Sequence, residues 1–191
     1  MALVGAGLPT LPGKVLDAKT YAERLFRFPE LGPLNDEAAR EALVAPASDL
    51  GVEFRPDAVE RILTESEGYP YFIQEWGRAA WNAARGSVID ATALDRAASV
   101  VGHELDEDFF GMRTERMTPA ELKYCHALAG LGDGPHPSGE VAKAIGRDPR
   151  SLSVVRSRLI DKGLVYAAGR GSVAFTVPHF ARYLTRSAAS E

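Results

Sequence analysis

Between residues 35 and 116 the apolar positions recur at helical spacing, in four stripes separated by turn residues. Asn35 or Asp36 is placed to cap a helix running towards Leu50, with Ala39, Leu43, Val44 and Ala47 facing inward. Pro56 suits the first turn of a second helix, which carries Val59, Ile62 and Leu63. Gly68-Tyr69-Pro70 breaks the chain, and Tyr71 to Ala84 follows as a third helix rich in aromatic residues: Tyr71, Phe72, Trp76 and Trp81. Asp90 caps a fourth, with Ala93, Leu94, Ala97 and Val101 on one face. The acidic run Glu104, Asp106, Glu107 and Asp108, ahead of Phe109-Phe110, is expected to be a solvated stretch between two elements without chemistry of its own.

The C-terminal part changes character. Thr118-Pro119-Ala120-Glu121 combines a capping threonine, a first-turn proline and a glutamate able to close a capping box. Leu122, Cys125 and Leu128 mark the stripe behind it, and Gly130-Leu131-Gly132-Asp133-Gly134-Pro135 ends the helix. A short helix is expected from Ser138, with Val141, Ala142 and Ile145 inward and Gly146 at its end. Asp148-Pro149 opens a third, carrying Leu152, Val155 and Leu159 and stopped by Gly163. Leu164 to Ala168 and Ser172 to Val177 then form two strand-like runs around Gly169-Arg170-Gly171, a hairpin signal, and His179 to Arg186 can close with a helix. This order is that of a winged helix-turn-helix. The expected fold is therefore mainly α with a small β-hairpin wing, in three parts: residues 1–34, a helical domain over 35–116 and the winged helix over 117–191.

Composition narrows the function classes. No apolar run is long enough to span a membrane, and Met1 opens without the charged and apolar regions of a secretory signal. The single cysteine, Cys125, excludes an internal disulfide framework and fits a reducing cytoplasm. His103, Cys125, His126, His136 and His179 show no paired metal-ligand spacing, so no metal is expected. Charge is uneven: residues 1–116 hold 12 Lys/Arg against 20 Asp/Glu, whereas residues 117–191 hold 10 against 6. Any nucleic-acid contact therefore belongs to the C-terminal part.

In a helix-turn-helix the outward face of the second helix of the motif enters the major groove. Opposite Leu152, Val155 and Leu159 that face presents Arg150, Ser153, Val154, Ser157 and Asp161, with Arg156 and Arg158 on its flanks, Arg147 just before the helix and Arg170 at the wing tip. Arginine and serine suit base edges and phosphates. Val154 and Asp161 suit them less. Double-stranded DNA, a protein partner and plain domain packing all remain compatible with this face.

Near the N-terminus Ala2-Leu3-Val4 looks like a buried strand and Asp17 to Phe26 like a helix. Gly5 to Thr10 does not complete a dinucleotide loop, since Thr10 stands where the final glycine belongs. Gly7 to Lys14 spaces its glycines by five residues rather than four, with Val15 where a magnesium-binding Ser or Thr would stand. Neither is a nucleotide loop.

Gly5-Ala6-Gly7-Leu8-Pro9, Tyr21 to Phe26, Gly68-Tyr69-Pro70-Tyr71-Phe72 with Gln74-Glu75-Trp76-Gly77, and Val173 to Pro178 together resemble the C-terminal half of bacterial ATP-binding proteins of the AAA and STAND group, relatives of archaeal ATPases and replication initiators. The resemblance covers nearly the whole chain. It implies a remnant of the P-loop domain over 1–34, a helical ATPase lid over 35–116 and the winged helix, with the P-loop lysine and magnesium carboxylate upstream of Met1. Pro70, next to Tyr69, would match the lid proline that packs on adenine, and Arg24 would lie near the phosphates, both only together with a P-loop domain. Gly5-Ala6-Gly7 offers no polar sensor side chain. No general base, nucleophile or metal ligand is assigned, and no cofactor is expected in this chain, ATP and magnesium belonging to a full-length relative.

The expected role is thus a non-catalytic regulatory and recognition part of such an ATPase, its winged helix contacting DNA while ATP clamps the lid and re-aims it. The alternatives are a protein-docking adaptor, a free-standing winged-helix transcription regulator, and an ATPase half that pairs with a separate P-loop chain. Self-association through the N-terminal remnant, by its unpaired strand edge, is also expected.

Overall fold

Helix-forming signals at nearly every element start make the chain predominantly helical. The computed structural model describes residues 4–7, 11–18, 21, 24–29 and 31–188. They divide into two units, Gly32–Met112 on one hand and Met1–Leu31 with Arg113–Glu191 on the other. No helix among the described residues is long and apolar enough to cross a membrane.

The N-terminal expectations need correction. Helix α1 spans Leu11–Ala18 with no buried residue, so among the described residues the helix expected over Asp17 to Phe26 is met only at Asp17 and Ala18, and Lys19, Thr20, Ala22 and Glu23 lie outside the described residues. Pro12 suits the start of α1, because a first-turn proline lacks only an N–H that no carbonyl awaits. Beyond α1, Tyr21 lies in a turn closed by Arg24 N–H donating to the Tyr21 carbonyl at 3.1 Å, and residues 24–29 form no α-helix. Val4 is 92% exposed and residues 4–7 form no strand; Ala2, Leu3, and Leu8 to Thr10 lie outside the described residues.

The helical unit is built from α2 (Asp36–Ser48), α3 (Pro56–Ser66), α4 (Pro70–Ala83) and α5 (Ala91–Glu104). Asn35 caps α2, accepting from Ala38 N–H at 2.8 Å, and Asp90 caps α5, accepting from Ala93 N–H at 2.9 Å. Their inward stripes meet in one core containing Leu43, Ile62, Phe72, Trp76, Leu94 and Val101, while Val44 lies at its margin. Two features were not expected. A short parallel pair, β1 (Glu53–Phe54) with β2 (Val88–Ile89), ties the start of α3 to that of α5; two residues per strand are too few to show an alternating pattern. The acidic stretch is not a linker either: α5 runs on as a π-helical segment, Leu105–Gly111, and then α6 (Met112–Glu115). The wider turn places both Phe109 and Phe110 inward.

The Gly68-Tyr69-Pro70 break has a specific cause. Glu67 and Gly68 both take positive φ, 48° and 71°. The Gly68 carbonyl accepts from Leu34 N–H at 2.9 Å, and a Cβ added at Gly68 would stand 2.3 Å from the Leu34 carbonyl oxygen. Only glycine fits. The chain then enters α4 with Tyr69 as cap residue and Pro70 in the first turn.

The other unit contains α7 (Pro119–Ala129), β3 (His136–Pro137), α8 (Ser138–Ile145), a 3-10 turn (Pro149–Leu152) leading into α9 (Ser153–Asp161), β4 (Val165–Gly169), β5 (Ser172–Phe175) and α10 (Phe180–Ala188). The strands form an antiparallel sheet in the order β3-β5-β4, with Val165 opposite Phe175 and a bulge between Ala167 and Gly169. This is the winged helix. Its Thr118–Glu121 capping box forms as expected, and Gly146 ends α8 at a φ of 73°. The buried stripe of α7 is Glu121, Tyr124, Cys125, Leu128 and Ala129, which keeps the expected Cys125 and Leu128 but takes in Glu121 and leaves Leu122 half-buried.

This face buries a charge. Glu121 is 1% exposed, and its Oε2 accepts from Thr118 N–H and from Lys162 Nζ, each at 2.7 Å. Lys162 also donates to the Arg116 carbonyl at 2.9 Å. Burial alone pushes the Glu121 carboxyl up, but the hydrogen bonds from Lys162 and Thr118 prevail and hold it below its ordinary 4.5. The other oxygen, Oε1, is buried without a hydrogen bond.

Candidate nucleic-acid interface

The outward surface of α9 is set by what its inward surface must cover. Leu159 is fully buried, Leu152 and Val155 are half-buried, and the opposite stripe is therefore exposed. Asp148 fixes where the helical segment begins: its carboxylate accepts from Arg150 N–H at 2.8 Å, while its carbonyl accepts from the Ser151 hydroxyl at 2.7 Å. Ser153 then donates its hydroxyl to the Arg150 carbonyl at 2.7 Å. These local bonds anchor the backbone of Arg150 and leave its guanidinium free to point outward.

Arg147, Arg150, Ser153, Ser157 and Arg158 are all exposed, as is Arg170 in the β4–β5 turn. None of the four guanidinium groups (Arg147, Arg150, Arg158, Arg170) takes part in an ion pair among the described residues. Val154 sits within this surface at 58% exposure. Asp161, seven residues further along α9, is exposed at its far end and carries the opposite charge.

Arg156 does not belong to this surface. It is half-buried, and its Nη1 donates to the Ser138 hydroxyl at 2.8 Å, joining α9 to the start of α8. Beside it lies Tyr124, whose phenol is pushed up by burial against the opposing charge of Arg156. The space these groups share with Pro149 and Leu152 is about 10 Å³, far below the several hundred of a small-molecule pocket. The helical wheel placed Arg156 on a flank, and the approach of α8 turns that flank inward. Conversely, Tyr166, 40% exposed on β4 next to buried Val165, faces solvent, which a strand-like run by itself does not signal. The alternation of strand faces could have placed it outside.

The nucleotide candidates fall elsewhere. Pro70 is exposed at the first turn of α4, and Tyr69 is half-buried, its ring 4.8 Å from Phe72 and 6.1 Å from Phe109. Tyr71 stacks on Phe109 at 4.8 Å, so the α4 start is a packed aromatic cluster beside exposed Pro70. Arg24 is exposed in the other unit. No group of three or more His, Cys, Asp or Glu able to hold a metal occurs among the described residues.

Residues 107–184 match a family described as a domain of unknown function, DUF8462. That span holds α7 to β5 and most of α10. No curated protein matches the chain. Among solved structures, the chain is similar to a RuvB mutant from Thermotoga maritima, at 19% identity and a TM-score of 0.40, over 82% of this chain and 50% of that one. The chain thus spans half the length of that structure.

Proposed function

We propose that this chain is the regulatory and recognition part of an AAA/STAND-type nucleotide switch, itself non-catalytic and cytoplasmic, whose winged helix binds double-stranded DNA. The observation that carries the DNA reading is four exposed arginines without an ion pair among the described residues: Arg147, Arg150 and Arg158 before and along α9, and Arg170 in the wing. A polyanion repays this arrangement by releasing its counterions. The double substitution Arg150→Ala with Arg170→Ala is expected to weaken binding and to flatten its salt dependence, by roughly 0.9 in the slope of log affinity against log salt for each phosphate contact removed. Both side chains point outward, so the fold is expected to survive. Fluorescence anisotropy with a mixed-sequence duplex at two salt concentrations measures this. Wild-type protein showing no salt-sensitive binding at low ionic strength ends the DNA reading.

The second reading is a protein-docking adaptor, which exposed Val154 favours, with a free-standing transcription regulator as the variant that keeps DNA and drops the switch. Pro70, Tyr69 and Arg24 would meet nucleotide only together with a P-loop domain. The exposure of Val4, Leu25 and Leu31 supports self-association through residues 1–34 as part of this proposal, although the described residues 4–7 offer no strand edge for it.

Activity follows from the same reading. Phosphoryl transfer needs a lysine and magnesium clamp on the phosphates, and neither glycine-rich stretch of this sequence has the spacing for one. Purified chain is expected to hydrolyse ATP no faster than buffer. Magnesium-dependent turnover that follows the protein through repurification would overturn the assignment.

A further inference from the structure

We propose that Val154 reads the C5-methyl group of thymine in the major groove, making thymine a determinant of the site this winged helix selects. The inference rests on the reading that α9 enters duplex DNA and adds what it recognises there. Val154 is exposed at 58% yet lies between cations, with Arg150 four residues before it and Arg158 four after. Within α9 residues four apart share one face, so Arg158 lies on the face of Val154. Arg150 stands in the 3-10 turn that leads into α9, and an acidic partner reaching from Arg158 back to Arg150 passes over Val154. Phosphate oxygens are poor company for an apolar side chain. The apolar group that a duplex offers among its major-groove base edges is the thymine methyl.

The serines of the stripe agree with that reading, while Asp161 stands apart from them at the far end of α9. Ser153 and Ser157 flank Val154 with small hydroxyl-bearing side chains, which let α9 approach the base edges closely. Valine is branched at Cβ and holds one strongly preferred rotamer in a helix. Its methyl groups are therefore already placed, and little side-chain freedom is lost on contact. Arg150 and Arg158 can meanwhile take guanine edges or phosphates on either side.

The test uses a randomised duplex pool enriched for binding to the wild-type protein, then re-amplified with either dTTP or dUTP. The two versions share sequence and Watson–Crick pairing and differ only in the methyl. Wild type is expected to bind the uracil version about fourfold more weakly for each methyl it contacts, the factor for one buried methylene-sized group. Val154→Ala should lose that preference, and Val154→Ile should keep it, both with unchanged circular dichroism. Three results overturn the proposal in distinguishable ways. Salt-sensitive but equal binding of the two pools by wild type ends methyl reading and leaves the DNA reading standing. A thymine preference that survives Val154→Ala moves the reader to another residue. Absence of any salt-sensitive duplex binding removes the DNA reading itself, and Val154 is then a protein-docking contact.

Discussion

Gly68→Ala is expected to destabilise the helical unit by more than about 3 kcal/mol, enough to unfold much of it. Two costs combine at that position. A left-handed backbone costs an ordinary residue about 1–2 kcal/mol, and Gly68 sits at a φ of 71°. The larger cost is steric, since the new Cβ would stand 2.3 Å from the Leu34 carbonyl oxygen. A Cβ has no rotamer with which to escape. Nor can the Leu34 backbone retreat cheaply, because its N–H bonds the Gly68 carbonyl. Gly86→Ala supplies the control: its φ is 96°, but nothing lies within 4 Å of the added Cβ. Only the conformational cost, about 1–2 kcal/mol, is expected there. Denaturant titrations followed by far-UV circular dichroism compare the two. Equal losses would show that the approach to Leu34 relaxes without penalty.

The second large effect is expected at Lys162. Removing one partner of a fully buried ion pair costs about 3–5 kcal/mol, but the Lys162 side chain is 38% exposed, and solvent reduces the figure. For Lys162→Met, about 2 kcal/mol is the expected loss, or roughly 10 °C in Tm for a domain of this size. The methionine keeps the apolar stem while leaving the Glu121 carboxylate and the Arg116 carbonyl without their donor. The pH dependence carries the sign. In wild type the folded carboxyl lies below its ordinary 4.5, so its contribution is complete above that value and is lost as pH falls through the lower folded pKa. In the variant, burial is opposed only by Thr118, and the folded carboxyl titrates at a higher pH. The variant's deficit should therefore be full at neutral pH and shrink on acidification. Melting curves of both proteins at several pH values check this, and a deficit independent of pH would assign the loss to packing.

Where a structural feature has a local cause, it was legible from the sequence. The Thr118–Glu121 box, the left-handed Gly146 and the Gly169-Arg170-Gly171 turn each act within a few residues, and together they specify the winged helix. Asn35, Pro56 and Asp90 do the same for the helical unit. What the sequence concealed depends on partners far along the chain. Arg156 faces inward because Ser138 waits there, 18 residues earlier. Glu121 can be buried because Lys162 answers it from 41 residues away. The β1–β2 pair and the π-helical segment leave no periodic trace at all. The exposed face of α9 was legible apart from Arg156, since burying Leu159 decides it, whereas what that face binds is chemistry between molecules and has no sequence period.

The placement of three rare side chains gives each unit its own reporter. The only two tryptophans, Trp76 and Trp81, both lie in α4, and the single cysteine, Cys125, lies in α7. Trp76 is almost wholly covered, so its indole emission follows the opening of the helical unit. Burial, with the charge of Glu121 adding to it, pushes the Cys125 thiol up to about 12, and the sulfur is inaccessible. A thiol reagent can reach it only through opening of the winged helix. Emission and thiol labelling of one unmodified sample therefore follow each unit by its own signal, the first reading Gly68→Ala and the second Lys162→Met.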